Sequence, residues 1–324
     1  MSGEGKVVCV TGASGFIASW LVKLLLRRDY TVHATVRSLK DPNKVAHLLA
    51  LDGAKERLHL FEADLLEENS FDPVINGCEG VFHTASPVSF SPSATKAELM
   101  DPAVKGTLNV LGSCVRMPSV KRVVVTSSTA SIFAKRNPLT PTDVVDETWF
   151  SDKEFAEEAK QWYVLSKILA EEEAWKYAGE NGIDMVLLHP CVVIGPILQP
   201  TLNFSTNVIL DLIKEEKEFI YGMNCYVDVR DVANAHIQAF EVPSASGRYL
   251  LIGETIHYSQ VLKVASQLYP SLPISDKYKG DLPLVPIFKV SQKKAKSLGI
   301  DFTSFAVTLK DTIESLKEKN LLSF

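Results

Sequence analysis

The sequence lacks the features that mark membrane proteins and nucleic-acid-binding proteins. It contains no run of about 20 apolar residues, the length that a membrane-spanning helix needs. Its formal net charge is -5 at pH 7, and an acidic protein repels the phosphates of nucleic acids and anionic lipids. Residues 1–6 are polar and show no signal-peptide pattern. These absences predict a cytoplasmic protein with a small-molecule substrate, which binds neither nucleic acid nor membrane.

Cysteine is also scarce. The five cysteines are an odd number, and no two of them have the spacing of metal ligands. We therefore expect reduced, buried thiols and no metal site. The rest of the composition, 46% hydrophobic and 23% charged residues in a chain of 324, is that of an ordinary globular enzyme. Nothing in it favours a monomer over a homodimer.

Short apolar runs alternate with longer amphipathic stretches in the first half of the chain. Strands are predicted at 6–11, 31–36, 58–63, 80–83, 120–126 and 184–188. Helices are predicted at 15–28, 41–51, 96–116 and 154–179. Parallel strands joined by right-handed helical crossovers form a doubly wound α/β sheet of the Rossmann type, which is the fold that we expect.

A glycine-rich segment joins the first predicted strand to the first predicted helix. Gly12 permits a tight turn, and Gly15 lets the backbone approach a pyrophosphate at the helix N-terminus. Ala18 is small enough for the helix to pack on the strand. The pattern predicts a dinucleotide site at the following residues: Gly12, Ala13, Ser14, Gly15, Phe16 and Ile17.

The end of the second predicted strand indicates which dinucleotide binds. An NAD site places a carboxylate there for the ribose 2′-hydroxyl. Here the strand ends in Arg37, and Lys44 follows. A guanidinium binds a 2′-phosphate with paired hydrogen bonds, so we expect NADPH/NADP+ as the cofactor. Further candidate contacts follow the third and fourth strands: Asp64, Leu65, Thr84, Ala85 and Ser86.

After residue 189 this alternation stops, and three prolines mark an irregular stretch. Further strands are predicted at 226–229 and near 249–252, and helices at 231–240, 259–269, 290–298 and 307–319. We expect a cofactor-binding domain of residues 1–188 and about 226–256. A smaller, mixed substrate-binding domain would take about 189–225 and 257–324.

Tyr163 and Lys167 are four residues apart on a predicted helix, so they share one face. Hydride that arrives at a carbonyl carbon leaves an alkoxide, which must be protonated. A lysine cation about 4 Å from the phenol, at an effective dielectric of about 20, would stabilise the phenolate by about 4 kcal/mol. We therefore expect the pKa of Tyr163 to lie near neutrality. Ser127 or Ser128, at the end of the fifth strand, can donate to the carbonyl oxygen; spacing does not choose between them.

Several segments together resemble the extended short-chain dehydrogenase/reductase family, and within it the plant cinnamoyl-CoA, dihydroflavonol and phenylacetaldehyde reductases of phenylpropanoid metabolism. They are TGASGFIASW, VRSLKDPNK, FEADL, HTASPV, VTSSTASI, WYVLSK, HPCVVIGP and YVDVRDVANAH. The resemblance implies an NADPH-dependent oxidoreductase with Ser128, Tyr163 and Lys167 as catalytic residues. It implies that Arg37 and Lys44 bind the 2′-phosphate and that Lys167 also holds the nicotinamide ribose. Further implied cofactor contacts are Asp64, Leu65, Thr84, Ala85, Ser86, Tyr163, Pro190, Val192, Val193 and Ser205.

Departures from the family patterns indicate the substrate. Cinnamoyl-CoA reductases carry Asn-Trp-Tyr-Cys-Tyr-Gly-Lys around the tyrosine, where this chain has Gln161-Trp-Tyr-Val-Leu-Ser-Lys167. Dihydroflavonol reductases have an asparagine where this chain has the apolar Phe133. We expect reduction of a hydrophobic, aromatic aldehyde or ketone to the alcohol, with Phe133 and Tyr221 as candidate substrate contacts. The alternatives are acyl-CoA reduction, dihydroflavonol reduction, and, more remotely, an NAD-dependent nucleotide-sugar epimerase.

Other polar residues are assigned structural roles. We expect His83 and His189 to be core or strand-end residues, and Asp228 to cap a helix. The acidic run 171–173 is expected to be a solvated helix face.

Overall fold

The computed structural model describes residues 3–88, 95–214, 222–272 and 287–324. Its strands are β1 (Val7–Thr11), β2 (Thr31–Val36), β3 (Leu58–Glu62), β4 (Gly80–His83), β5 (Arg122–Thr126), β6 (Val144–Val145), β7 (Met185–Pro190), β8 (Val192–Ile194), β9 (Met223–Asp228), β10 (Gly247–Leu251), β11 (Glu254–His257) and β12 (Lys289–Val290). Its helices are α1 (Phe16–Arg27), α2 (Pro42–Leu49), α3 (Ala54–Arg57), α4 (Asp72–Ile75), α5 (Lys96–Arg116), α6 (Lys153–Glu158), α7 (Trp162–Asn181), α8 (Phe204–Ile213), α9 (Val229–Glu241), α10 (Tyr258–Leu268), α11 (Lys293–Ser297) and α12 (Phe305–Glu318).

Seven of the described strands form one parallel sheet in the order β10-β7-β5-β4-β1-β2-β3. The chain runs outward from β1 to β3 on one side and from β4 to β10 on the other. The direction of winding therefore reverses between β1 and β4, and a sheet of this kind binds ligands at the carboxyl ends of the strands beside such a reversal. The predicted doubly wound, Rossmann-type sheet is confirmed.

Both faces of the sheet are covered by helices. Val8 and Val10 of β1 belong to a core that includes buried residues of α1 and α9. Cys9, which points the other way, belongs to a second core with buried residues of α5 and α7. Because both faces are covered, all three residues are fully buried, and the strand is a continuous apolar run rather than an alternating one.

A smaller mixed sheet, β11-β9-β8, follows in the C-terminal half of the chain, with β8 parallel and β11 antiparallel to β9. The short strands β12 and β6 pair separately. The predicted smaller, mixed C-terminal part is therefore present, and β10 returns from it to the edge of the large sheet.

The prediction of one helix over 154–179 is wrong. The chain forms two helices there, because Lys160 adopts a left-handed backbone conformation with φ 52° between α6 and α7. The predicted helix at 290–298 is also wrong in part, because residue 290 belongs to β12 and the helix is limited to the short α11. The stretch after residue 189 is more regular than predicted, because it contains β8 and α8.

No helix among the described residues is long and apolar enough to span a bilayer. Within the same residues, no group of three or more His, Cys, Asp or Glu side chains is placed to hold a metal ion. The five cysteines carry free thiols.

Candidate active site

The glycine-rich turn lies at the carboxyl end of β1, beside the reversal of winding. Gly12 has φ +66°, and a Cβ built on it would lie 3.0 Å from the Cα and Cβ of Ala85. Its backbone N–H donates to Thr35 Oγ1 at 2.9 Å, and the N–H of Ala13 donates to Thr35 O at 2.8 Å. The turn thus needs glycine for its conformation and for the close approach of the segment that follows β4.

The N-terminus of α1 opens from this turn. Gly15 precedes the helix in an extended conformation, no side chain caps it, and no acidic residue lies in the first turn. The first N–H groups of a helix have no partner within the helix, and they carry the positive end of its dipole. The N-terminus of α1 can therefore receive an anion such as a pyrophosphate.

Thr11 brings the segment after β4 against the turn. Its hydroxyl accepts hydrogen bonds from the N–H groups of Thr84 and Ala85, both at 3.1 Å. The Thr84 hydroxyl donates to Thr11 O at 2.5 Å. His83 Nδ1 lies 2.9 Å from Thr11 Oγ1, and burial, aided by the charge of Lys167, lowers the pKa of His83 to about 3. His83 is therefore a neutral core histidine, as expected.

Arg37 and Lys44 lie beyond the end of β2. Arg37 is exposed just after the strand, and Lys44 is half-buried in the first turn of α2, whose N-terminus Asp41 caps. Neither cation forms an ion pair with a carboxylate of the described residues. Both can therefore bind an anion at this edge of the sheet without first breaking an ion pair to any described carboxylate.

Tyr163 and Lys167 lie in the first two turns of α7 and face the same edge of the sheet. Lys167 is buried, donates to Ser86 Oγ at 2.9 Å, and has its Nζ 5.7 Å from the centre of the Tyr163 ring. Lys160, with its positive φ, separates α6 from α7, which begins at Trp162. Tyr163 therefore lies at the N-terminal end of α7.

Ser128, rather than Ser127, is the serine beside the tyrosine. The Ser128 side chain hydrogen bonds with Tyr163 and also accepts from the N–H of Ala130 at 3.1 Å. The Ser127 hydroxyl points away and donates to Glu171 Oε2 at 3.1 Å. Of the two serines at the end of β5, Ser128 is therefore the one whose hydroxyl contacts the phenol of Tyr163.

The pKa values of the pair follow from burial. Burial raises the pKa of Tyr163, and the hydrogen bond with Ser128 opposes the increase. Burial also lowers the pKa of Lys167 to about 8, although the charge of Glu171 opposes the decrease. The expectation of a Tyr163 pKa near neutrality is therefore wrong, because burial raises this pKa by more than the hydrogen bond with Ser128 lowers it. Tyr163 holds its proton at neutral pH, as a proton donor must.

A family model described as the NAD dependent epimerase/dehydratase family matches residues 8–253. The chain belongs to this family. The predicted membership of an NAD(P)-dependent enzyme family is thereby confirmed.

Comparison with relatives and solved structures shows which members of the NAD dependent epimerase/dehydratase family this chain resembles. The chain is 58% identical to "Cinnamoyl-CoA reductase CAD2" of Medicago truncatula over 98% of each chain. It is 46% identical to cinnamoyl-CoA reductase 1 of Petunia hybrida, over 98% of this chain and 94% of the relative. These names confirm the resemblance to the plant reductase group and the prediction of an oxidoreductase.

Two solved reductases share the fold over nearly the whole chain. Vestitone reductase from alfalfa (Medicago sativa) has 33% identity and a TM-score of 0.85, over 98% of this chain and 99% of that one. Yeast methylglyoxal/isovaleraldehyde reductase Gre2, solved in complex with NADPH, has 29% identity and a TM-score of 0.84, over 98% and 100%.

The remaining predicted cofactor contacts follow β3, end β7, or lie on β8 and α8. Asp64 and Leu65 follow β3; the carboxylate accepts from the N–H of Leu66 at 2.8 Å, and Leu65 O accepts from Asn109 at 2.8 Å. Pro190 ends β7, and Val192 and Val193 form β8. Ser205 lies in the first turn of α8, where its hydroxyl accepts from Asn203 at 2.7 Å.

The two predicted substrate contacts differ in what the structure describes. Phe133, just beyond the Ser128 turn, is half-buried and packs against Phe288 with ring centres 5.5 Å apart. Both belong to an apolar cluster that also contains Ile132, Cys191 and Met223. Tyr221 lies outside the described residues.

The prediction of a solvated acidic face at 171–173 is wrong at its first residue. Glu171 is buried with 6% exposure, whereas Glu172 is exposed. Glu171 follows Tyr163 and Lys167 at the same helical spacing, and that repeat could have indicated its position. His189, expected in the core, contacts it from β7 with Nε2 2.8 Å from Oε2.

Proposed function

We propose that this chain is an NADPH-dependent reductase that converts a hydrophobic, aromatic aldehyde or ketone to the alcohol. One observation carries the proposal: Ser128, Tyr163 and Lys167 are linked through Ser86 to the turn that fits a dinucleotide. The side chains that can donate a proton would therefore lie beside the nicotinamide ring of a bound dinucleotide.

Each of the three side chains has a role that its surroundings support. The Ser128 hydroxyl can polarise the carbonyl oxygen, because it lies beside the phenol that protonates the same oxygen. Tyr163 donates its proton to the alkoxide that forms as NADPH supplies the hydride. Lys167, a cation below its pKa of about 8, then stabilises the phenolate that remains.

The choice of NADPH rests on Arg37 and Lys44. Both lie at the end of β2 without an acidic partner among the described residues, and no carboxylate ends β2 to receive a ribose 2′-hydroxyl. The similar yeast reductase was solved with NADPH. We propose these cofactor contacts: Gly12, Ala13, Ser14, Gly15, Phe16, Ile17, Arg37, Lys44, Asp64, Leu65, Thr84, Ala85, Ser86, Tyr163, Lys167, Pro190, Val192, Val193 and Ser205.

The preference for a free carbonyl rests on apolar side chains near the catalytic serine. Phe133 is half-buried and packs against the buried Phe288 just beyond the Ser128 turn. An apolar side chain at this position would contact an aromatic ring without requiring a particular hydroxyl, so we expect broad acceptance of aromatic aldehydes and ketones.

A second candidate is reduction of a hydroxycinnamoyl-CoA thioester to the aldehyde. It is favoured by the 58% identity to a protein named cinnamoyl-CoA reductase. It is opposed by Gln161 and by residues 164–166, which differ from the residues that such enzymes carry around the tyrosine. The epimerase alternative is weaker, because Arg37 suits a 2′-phosphate that NAD lacks.

A panel assay tests the proposal. Oxidation of NADPH and of NADH is followed with an aromatic aldehyde, an aryl ketone, a dihydroflavonol and a hydroxycinnamoyl-CoA. We expect the free aldehyde or ketone to have the highest kcat/KM. We expect NADPH to be favoured about tenfold or more, because a hydrogen bond to a charged group contributes about 1.5–3 kcal/mol. A higher kcat/KM for the thioester would establish the second candidate, and equal use of both cofactors would contradict the role of Arg37.

The wider organisation is proposed on the same basis. Residues 1–188 with about 226–256 would bind the cofactor, and about 189–225 with 257–324 would shape the substrate site. The return of β10 to the large sheet supports this division. We propose a cytoplasmic location.

A further inference from the structure

The Glu171 carboxylate accepts hydrogen bonds from residues that precede and follow Ser128 in the sequence. It lies one helical turn beyond Lys167 on α7, and its side chain is 5% exposed. Its Oε2 accepts from Ser131 Oγ at 2.7 Å and from Ser127 Oγ at 3.1 Å. His189 Nε2 donates to the same oxygen at 2.8 Å. The carboxylate therefore joins α7 to the ends of β5 and β7.

The charge of Glu171 is balanced by an arginine from the edge strand of the sheet. Glu171 Oε1 lies 2.7 Å from Arg248 Nε, and the arginine side chain is 8% exposed. Arg248 also donates to the carbonyl oxygens of Glu147 and Trp149 at 2.9 and 2.6 Å. Burial alone would raise the pKa of Glu171, but His189, Arg248 and Ser131 lower it to about 2, so Glu171 is an anion at any pH at which an enzyme works.

The hydrogen bonds of Glu171 fix the turn that presents Ser128. Ser127 and Ser131 lie on either side of that residue, in a turn that includes the 3₁₀ segment Thr129–Ser131. Ser128 O accepts from the N–H of Ser131 at 3.0 Å, and Ser131 Oγ also lies 3.0 Å from it. Because Tyr163 and Lys167 are on the same helix as Glu171, the carboxylate sets the position of the serine relative to both.

We infer that Glu171 is a positioning residue for the reaction, which holds the Ser128 turn in register with Tyr163 and Lys167 on α7. The inference rests on the proposed function. A buried ion pair gives little net stability compared with apolar residues of the same volume, because both charges must be desolvated. A gain in stability therefore does not explain why a charged pair is buried here, whereas the alignment of Ser128 with two side chains of α7 does.

Glu171 also acts on Lys167 through its charge. The charged and titratable groups that face Lys167 are Tyr163 and Glu171 on its own helix and His83 on β4. Glu171 is the anion among them, and it opposes the decrease in the pKa of Lys167 that burial causes. Without this carboxylate, Lys167 would lose its proton at a lower pH, and the unpaired charge of Arg248 would act in the same direction.

The decisive variant is Glu171→Gln, which keeps the size and one acceptor oxygen but removes the charge. We expect kcat for carbonyl reduction to fall about 10- to 100-fold, as when a residue that supports a catalytic group is replaced, with little change in the KM for NADPH. We also expect activity to decline with rising pH at a lower pH than in the wild type. Glu172→Gln, at the exposed neighbour, is the matched control and should leave both unchanged.

Two further variants separate position from charge. Ser131→Ala removes one hydrogen bond to the turn and keeps the carboxylate, so kcat should fall while the alkaline limb of the pH profile stays in place. Glu171→Asp keeps the charge but shortens its reach, and should give the same pattern. A folded Glu171→Gln with wild-type kcat and pH profile would overturn the inference; if it does not fold, wild-type kcat in both Ser131→Ala and Glu171→Asp would do so.

Failure of the proposed function is recognised separately. If the wild type reduces none of the carbonyl compounds in the panel, the proposed function is wrong. NADPH affinity, measured by fluorescence titration against pH, then tests the effect of Glu171 on Lys167 without turnover. Its alkaline limb should move to lower pH in Glu171→Gln, and an unmoved limb would refute the inference.

Discussion

At Tyr163 two influences on the phenol oppose each other. Burial disfavours the phenolate, and the hydrogen bond with Ser128 favours it. Burial has the larger effect, so the proton stays on the phenol until an alkoxide is present to receive it. Tyr163 is therefore protonated, as the acid of a carbonyl reduction must be.

Removal of the phenol hydroxyl should stop proton donation, while the other proposed cofactor contacts keep their side chains. In Tyr163→Phe we expect kcat to fall about 10²- to 10⁴-fold, the usual contribution of a positioned acid. NADPH affinity, measured by fluorescence titration, should change little, because the turn at Gly12 and the cations at Arg37 and Lys44 are untouched. Turnover at the wild-type rate would exclude Tyr163 as the acid.

Lys167 should set the alkaline limit of activity. Its pKa is lowered to about 8, so it is a cation below that pH and becomes neutral above it. Tyr163, whose pKa is raised, keeps its proton over the same range. We therefore expect kcat/KM for NADPH to be level at neutral pH and to fall as the pH rises through about 8.

The matched variant is Lys167→Arg, because a guanidinium does not lose its proton in proteins. Its absolute rate should be lower, since the longer side chain must fit a buried site, but the decline with pH should disappear. A decline at the same pH in this variant would show that another group titrates.

The chemistry of the site could be predicted from residue types and their spacing. Contacts between residues that are distant in the sequence could not. Tyr163, Lys167 and Arg37 follow from spacing and from strand order. Glu171 did not, because its burial depends on His189 and Arg248, which are distant in the sequence. The direction of the Tyr163 pKa was mistaken for the same reason, since it depends on how deeply the helix is buried.

At the scale of elements, strands of the large sheet were predictable because they are continuous apolar runs. β2 and β4 begin and end where the pattern predicted. The break between α6 and α7 was not predictable from hydrophobic periodicity, because Lys160 is a good helix former that here has a positive φ. β11 was missed because it is a short strand whose place depends on pairing with β9.

The turn between β1 and α1 should tolerate no side chain at Gly12. Gly12→Ala adds strain at φ +66° and places a Cβ 3.0 Å from Ala85. We expect a loss of about 1–2 kcal/mol in unfolding free energy from the backbone alone. Because the segment after β4 must also shift, the Kd for NADPH should rise about tenfold or more, which is about 1.4 kcal/mol.

Gly77→Ala is the control for this prediction. Gly77 has φ +77°, and a Cβ there meets no atom within 4 Å. It should lose a similar unfolding free energy, measured by urea denaturation, and bind NADPH normally. Equal NADPH affinity in the two variants would show that the turn does not approach the cofactor.

At the scale of the molecule, one buried carboxylate joins α12, the last helix, to α9, which packs on the large sheet. Asp228 ends β9 and caps α9, accepting from the N–H of Arg230 at 2.8 Å, as the sequence predicted. It also accepts from Thr308 Oγ1 of α12 at 2.9 Å. Arg230, bound to Asp228 at 2.6 Å, reaches Asp311 of α12 at 2.7 Å. A helix that covers the sheet and the last helix of the chain thus share one polar contact.

This contact should make the two parts of the chain unfold together. Asp228→Ala removes the cap and leaves buried partners unsatisfied, so we expect a loss of about 2–4 kcal/mol in unfolding free energy. Asp311→Ala, at the partly exposed end of the same network, should lose about 1 kcal/mol or less. Urea unfolding followed by tryptophan fluorescence and by circular dichroism measures both. We expect one coincident transition in the wild type. A smaller loss in Asp228→Ala than in Asp311→Ala, or two separate transitions in the wild type, would show that α12 is not held to the sheet through Asp228.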